Sequence, residues 1–213
     1  MKTQYLYAAI IALTFASPHA YAQSDGSKSY DLDGFSGVKA SAGIGVTFEQ
    51  ADDYSVIATF ERADEDDVKI RIDGDVLKIS YRNSKNRNKR RKVTVAVTAP
   101  QLDFAKATSG ASLEIGTVEI GDIKLRADSG GALRISGTCG DVDGGVSSGG
   151  AINAKALKCK SIDANASSGG SFRGYASDYG KGHSSSGGSI MIDGNPDKQK
   201  KNKSWSGGSV SFP

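Results

Sequence analysis

Ser148-Gly149-Gly150-Ala151-Ile152-Asn153-Ala154 opens a stretch that runs to Ser168-Gly169-Gly170 and there begins again. The same Ser-Gly-Gly mark stands at Ser129-Gly130-Gly131, Ser186-Gly187-Gly188 and Ser206-Gly207-Gly208, preceded by a shorter Ser109-Gly110-Ala111. From serine to serine the steps are 20, 19, 20, 18 and 20 residues. A fixed period of this size marks a repeat architecture, whose units cannot bury an apolar face alone and therefore stack on their neighbours.

Aligned on the serines, the repeats show apolar columns. Four residues on come Leu113, Leu133, Ile152, Phe172, Ile190 and Val210; two further come Ile115, Ile135, Ala154, Gly174, Ile192 and Phe212. This is the period-2 alternation of a strand with one buried face. Glu114, Arg134, Asn153 and Arg173, between the columns, point outward. A second strand precedes each serine, with Ile123 and Leu125, then Val142 and Val146, then Ile162, Ala164 and Ala166. Two strands joined by Ser-Gly-Gly describe one coil of a parallel β-solenoid, with glycine at the joint because a tight turn needs positive φ. A disordered linker would not keep apolar residues in register over six repeats. Gly144, Ala154, Ala164 and Gly174 in the inward columns imply that the two walls approach closely there.

The first 22 residues read as a signal peptide. Lys2 gives a basic start, residues 6–15 a mostly apolar run, and Ala20-Tyr21-Ala22 a small-x-small cleavage site. Nothing later approaches the ~20 apolar residues of a membrane span. The expectation is an exported protein, periplasmic or at the cell surface. Two cysteines agree with that compartment. Cys139 and Cys159 each lie nine residues before a repeat serine, so they fall in the same place on successive coils. At a coil spacing of ~4.8 Å a Cys139–Cys159 disulfide is geometrically open, and it is expected in preference to a metal or redox pair.

Residues 25–100 lack the repeat mark but still read as strands, over 38–48, 54–60, 68–72, 76–81 and 93–97, with Asp73-Gly74 as a hairpin turn. The expected organisation is therefore a signal peptide over 1–22, an all-β portion over 23–100 that caps or begins the solenoid, and solenoid repeats over 101–213.

These features together carry a resemblance. Asp33-Gly34-Phe35-Ser36-Gly37-Val38, Asp73-Gly74-Asp75-Val76-Leu77-Lys78-Ile79, the segment from Val93-Thr94-Val95 to Ala99-Pro100, and the Ser-Gly repeats in that order resemble the bacterial head GIN domain auto-transporter adhesins, also known as DUF2807. The resemblance covers residues 30–213. It implies a right-handed β-helix related in shape to pectin lyases, an adhesion role, no recognised catalytic site and no established functional residues.

The residues offer several chemistries. His183, beside the Ser-Gly-Gly turn at 186–188, is the only histidine after residue 22, and it is read as an exposed turn residue rather than a catalytic base. Asp143 and Asp163 occupy matching positions, with Asp141 nearby. They suit calcium or a reactive carboxylate pair, but Lys124, Lys181 and Lys201 hold the same position in other coils, and weakly paired surface charges are the preferred reading. The strongest charge feature is Arg82, Lys85, Arg87, Lys89, Arg90, Arg91 and Lys92 among asparagines, a basic loop suited to polyanions. A second basic turn, Lys198, Lys200, Lys201 and Lys203, adjoins Trp205, an aromatic able to stack on a sugar. Nucleic acid is disfavoured because the basic loop has no interleaved aromatics. Net charge is +3 for the whole chain, so the polarity is local.

The sequence thus points to a non-enzymatic, cofactor-free binding or adhesion module of the cell envelope that engages anionic polysaccharide or lipopolysaccharide through Arg82–Lys92 and Trp205. The alternatives are a polysaccharide lyase or hydrolase on the same scaffold and a structural protein docking an envelope partner. The oligomeric state is not written in the sequence.

Overall fold

The computed structural model describes residues 26–61, 63–82, 92–203 and 206–213. Its architecture is a β-solenoid with no α-helix among these residues and one 3-10 turn at Glu65–Asp67. Each coil has an inbound strand, a tight corner and an outbound strand, and the coils stack into two walls.

The repeat region supplies the regular part. Strands β8 (Phe104–Thr108) and β9 (Ser112–Glu119) make one coil, and β10 (Ile123–Asp128) leads into β11 (Ala132–Val146). β11, β12 (Ala151–Ala166) and β13 (Ser171–Ser184) each run out along one wall, bend, and return along the other. β14 (Gly188–Asp193), β15 (Lys198–Lys203) and β16 (Gly208–Ser211) close the stack. All pairings here are parallel, with register shifts confined to the bends, such as those at 134–136 and 154–161.

The Ser-Gly-Gly corners explain their own sequence. Both the serine and the first glycine have positive φ, 47–53° for Ser109, Ser129, Ser148, Ser168 and Ser186, and 70–78° for the glycines that follow, Gly207 included. Positive φ at both central positions is the backbone of a type I′ turn, which redirects the chain from one wall to the other in two residues. The second glycine has a different reason. A Cβ on Gly150 would lie 2.4 Å from the Ala127 carbonyl oxygen of the preceding coil, and Gly131 and Gly188 meet the same obstacle. The first glycine's N–H bonds to the next coil's corner, as from Gly149 to the Ser168 oxygen at 3.1 Å, so the ladder continues through the turn.

The expected inward columns are buried: Leu113, Leu133, Ile152, Phe172 and Ile190 are at most 2% exposed, and Ile123, Leu125, Val142, Ile162 and Ala164 line the opposite wall. Where Gly144 and Gly174 leave the walls bare, large side chains opposite take the space: a Cβ on Gly144 would stand 2.4 Å from the Phe172 ring, and one on Gly174 2.6 Å from Ile162 Cδ1. The small residues of one wall are thus matched by a large one from the other, which keeps the interior filled. At the bend, Cys139 and Cys159 face each other in register and form the disulfide, Cα to Cα 4.6 Å.

The N-terminal residues correct one reading. Residues 38–48 are not a single strand: β2 (Gly37–Ala40) and β3 (Gly45–Gln50) are separated by a corner in which Ala42 and Gly43 have φ of 61° and 79°. β2 pairs with β8 and β3 with β9, both parallel, so these residues form a coil. Below it, β6 (Val76–Tyr81) pairs with β2 and β7 (Lys92–Ala99) with β3, again parallel. The bottom of the stack is finished by antiparallel strands. β5 (Val68–Asp73) joins β6 through the hairpin at Gly74, and β4 (Ser55–Glu61) lies on β7 with β1 (Ser27–Tyr30) beyond it. Antiparallel closure turns away the edges that would otherwise template further parallel pairing.

Candidate functional site

The tight corners form one edge of the molecule, and the strand ends that flank the basic stretch lie there. β6 and β7 flank residues 82–91 as β2 and β3 flank the corner at 41–44, one coil away. The ends of the stretch are anchored to the closing strands. Arg82 Nε donates to the Val68 carbonyl at 3.0 Å, and its backbone N–H donates to the Asp67 carbonyl at 2.7 Å. Lys92 Nζ bonds both carboxylate oxygens of Glu61, at 2.9 and 3.0 Å. Lys85, Arg87, Lys89, Arg90, Arg91 and Trp205 lie outside the described residues, as does the expected signal peptide.

At the other end of the stack, the basic turn expected at Lys198, Lys200, Lys201 and Lys203 is instead the edge strand β15. It pairs in parallel with β13, and the ladder of the preceding coil is what holds it extended. Lys198, Lys200 and Lys201 are exposed, and Lys201 Nζ sits 5.1 Å from the Phe212 ring centre. Arg82, Lys92 and the end of β15 therefore reach the same corner edge from opposite ends of the stack.

The outer face of the inbound wall carries the carboxylates. Asp143 and Asp163 stack in register, with Lys124 beside Asp143 and Lys181 beside Asp163. The last rung departs from the expected alignment: Lys200, not Lys201, stands opposite Lys181. The offset between β13 and β15 is 19 residues, whereas that between β14 and β16 is 20, so alignment on the serines misses this rung by one. Asp143 is bound by Arg126 at 2.6 Å and Asp163 by Lys181 at 2.6 Å. That hydrogen bond raises the Lys181 pKa above its ordinary value. Each carboxylate thus already holds a cation on its own surface rather than facing the other across a cleft. His183 lies in β13 rather than in a turn; its exposed ring borders a shallow depression of 320 Å3 with Asn165 and Arg126. Among the described residues, no group of three or more His, Cys, Asp or Glu side chains is placed to hold a metal ion.

The outer face of the outbound wall is troughed. Ser112, Ala132 and Ala151 make a small-residue floor, flanked by Glu114, Arg134 and Arg173, around a depression of 710 Å3. Arg134 and Arg173 stand on alternate coils with Asn153 between them. All three are exposed, as their place between the apolar columns implies. Sequence reading did not join them as a site, because residues twenty apart become neighbours only through coil stacking.

Two solved structures share this architecture. A "putative adhesin" from Bacteroides fragilis NCTC 9343 is 14% identical, with a TM-score of 0.69 over 88% of this chain and 96% of its own. A "putative adhesin" from Parabacteroides merdae ATCC 43184 is 18% identical, with a TM-score of 0.50 over 88% of this chain and 95% of its own. At such identities the likeness is one of fold. A comparison with curated proteins finds no match. The family described as "Putative auto-transporter adhesin, head GIN domain" matches residues 34–196, from the first coil into the bend between β14 and β15, and the chain belongs to that family.

Proposed function

We propose that this chain is an exported, non-catalytic binding module of the cell envelope with an adhesion role, and that it engages anionic glycans, acidic polysaccharide or the phosphates of lipopolysaccharide. The observation that carries the reading is the insertion at the corner edge. Where coil after coil turns on two residues, the connection between β6 and β7 spans residues 82–91 and carries six cations, with Lys92 at the start of β7 a seventh. In repeat proteins such insertions gather on one face, commonly the binding face. Export is supported by the Cys139–Cys159 disulfide, a bond that persists in oxidising compartments. The family's adhesin description agrees with both.

The test is retention of the purified protein on immobilised acidic and neutral polysaccharides and on lipopolysaccharide, across a salt series, with chain length of the polymer followed in parallel. Neutralising Arg87, Lys89, Arg90 and Arg91 together to Gln is expected to abolish most salt-sensitive retention. Unchanged retention removes the stretch from the account, and shortening of any polymer replaces the binding module with an enzyme.

A further inference from the structure

The inbound wall carries a feature that no run of sequence displays. Arg71 of β5 is in register with Lys78 of β6, Lys78 with Lys39 of β2, Lys39 with Lys106 of β8, and Lys106 with Arg126 of β10. These five strands are consecutive in space, so five cations stand in single file across them. The row stops at Gly145 on the next coil. Like charges facing each other across a ladder destabilise a sheet, and the fold does not require them, since the inward neighbours Leu77, Ile79, Val38 and Ala105 provide the burial.

Carboxylates offset the row only partly. Asp73 is shared by Arg71 at 3.1 Å and Lys78 at 2.5 Å, Asp128 takes Lys106 at 2.8 Å, and Asp143 takes Arg126 at 2.6 Å. Lys39, at the centre, has no ion pair among the described residues. Exposed Lys69 and Lys124 add to the same face from its two ends. The paired side chains remain from about a quarter to a half exposed, Lys106 at 27% and Arg71 at 47%, so their donors are open to a ligand.

We propose that this row is a binding track for a linear polyanion that lies along the solenoid axis and meets one cation per strand. The strand spacing of ~4.8 Å makes the track about 19 Å long over its four steps. A polymer with one carboxylate or sulfate per sugar presents its charges at a commensurate interval. A line of single cations suits a chain better than a membrane plane, which would call for a broad patch. The track is distinct from the basic stretch at 82–92 and does not depend on it.

The experiment uses the full chain and size-graded oligogalacturonates, which carry one carboxylate per sugar. Wild type is expected to bind more tightly with each added sugar up to about five, after which affinity levels off. The double variant Lys39→Gln/Lys78→Gln is expected to weaken the longer oligomers roughly tenfold and to flatten the length dependence. Lys39→Gln alone provides a milder variant that breaks no ion pair, and Lys39→Arg/Lys78→Arg is expected to restore binding. Thermal melts confirm that each variant is folded. The Arg87, Lys89, Arg90 and Arg91 variant, run alongside, is expected to keep the length dependence, which separates failure of the track from failure of the corner reading. An unchanged length dependence in the Lys39→Gln/Lys78→Gln protein overturns the track. So does track-dependent binding to phosphatidylglycerol vesicles without binding to the oligomers, which would assign the row to a membrane surface.

Discussion

The two halves of the stack build the same coil from different sequences. In the coils from β10 onward the corner reads Ser-Gly-Gly, whereas in the coil of β2 and β3 it reads Ser41-Ala42-Gly43-Ile44. The corner hydrogen bonds grade between them. The bond closing the turn is 3.4 Å at Ile44 to Ser41, 3.2 Å at Ala111 to Thr108, and 2.8–2.9 Å at Gly131, Gly150, Gly170 and Gly188. With no side chain at the last position the corner closes tightly onto the backbone of the coil below. With Ile44 there, the corner opens and a side chain that is fully buried enters the core. The Ser-Gly-Gly mark therefore reports tight corners stacked on tight corners, not the presence of a coil. The halves also end differently: antiparallel strands close the N-terminal end, and a lysine-rich edge strand, β15, finishes one wall at the other. Lysine on an exposed edge discourages edge-to-edge pairing.

The sharpest way to break this comparison is to exchange the corner logic. Ile44→Ala removes a buried side chain and is expected to cost about 4 kcal/mol in urea unfolding. Its counterpart Gly150→Ala adds one carbon against the Ala127 carbonyl and is expected to cost about 2 kcal/mol. Equal, small effects at both sites would show that the corners are interchangeable and that the graded bond lengths carry no energy.

Between these in size stands the disulfide. It staples the β11 and β12 coils, and the N-terminal coils have no equivalent. Reduction, or Cys139→Ala/Cys159→Ala, is expected to lower stability by about 3 kcal/mol in the chain-entropy account. The loss is expected to fall on the repeat half first. Hydrogen exchange on the reduced protein checks this: amides of β11 and β12 are expected to lose protection before those of β3 and β7, and uniform loss would show that the two halves unfold as one unit.

The smallest effect concerns pH. The Lys106 hydrogen bond, with help from the Thr108 hydroxyl, holds Asp128 below its ordinary value of 3.8, and Lys78 does the same for Asp73. A carboxylate with a lowered folded pKa stabilises the fold above its unfolded value, and that contribution is lost as pH falls through the lowered one. Wild type is therefore expected to lose a little stability as pH drops below about 3.8. The Asp128→Asn protein starts less stable at neutral pH and shows a shallower acid limb in thermal melts. The effect is small because these side chains are solvated. Lys181 acts in the opposite direction: its raised pKa keeps its contribution intact below 10.5 and loses it as pH climbs past the raised value.

The fold was legible where chemistry repeats along the chain. The apolar columns, the outward-pointing Arg134 and Arg173 and the cysteine pairing all follow from a period near twenty, because a stacked coil converts sequence period directly into vertical neighbours. The N-terminal coil escaped the same reading because Ala42-Gly43 makes its corner without the mark, inside what looks like one strand over 38–48. β15 escaped for a related reason: its lysines read as a turn, yet pairing to β13 overrides their low strand preference.

Sequence alone determined the solenoid, the disulfide and the positions of the concentrated charges, since each depends on local spacing or on composition. Only the tertiary structure decided which charges share a surface. Arg71, Lys78, Lys39, Lys106 and Arg126 come from five strands whose order in space is not their order in the chain. No periodicity connects Lys39 to Lys78, and strand pairing alone makes them neighbours.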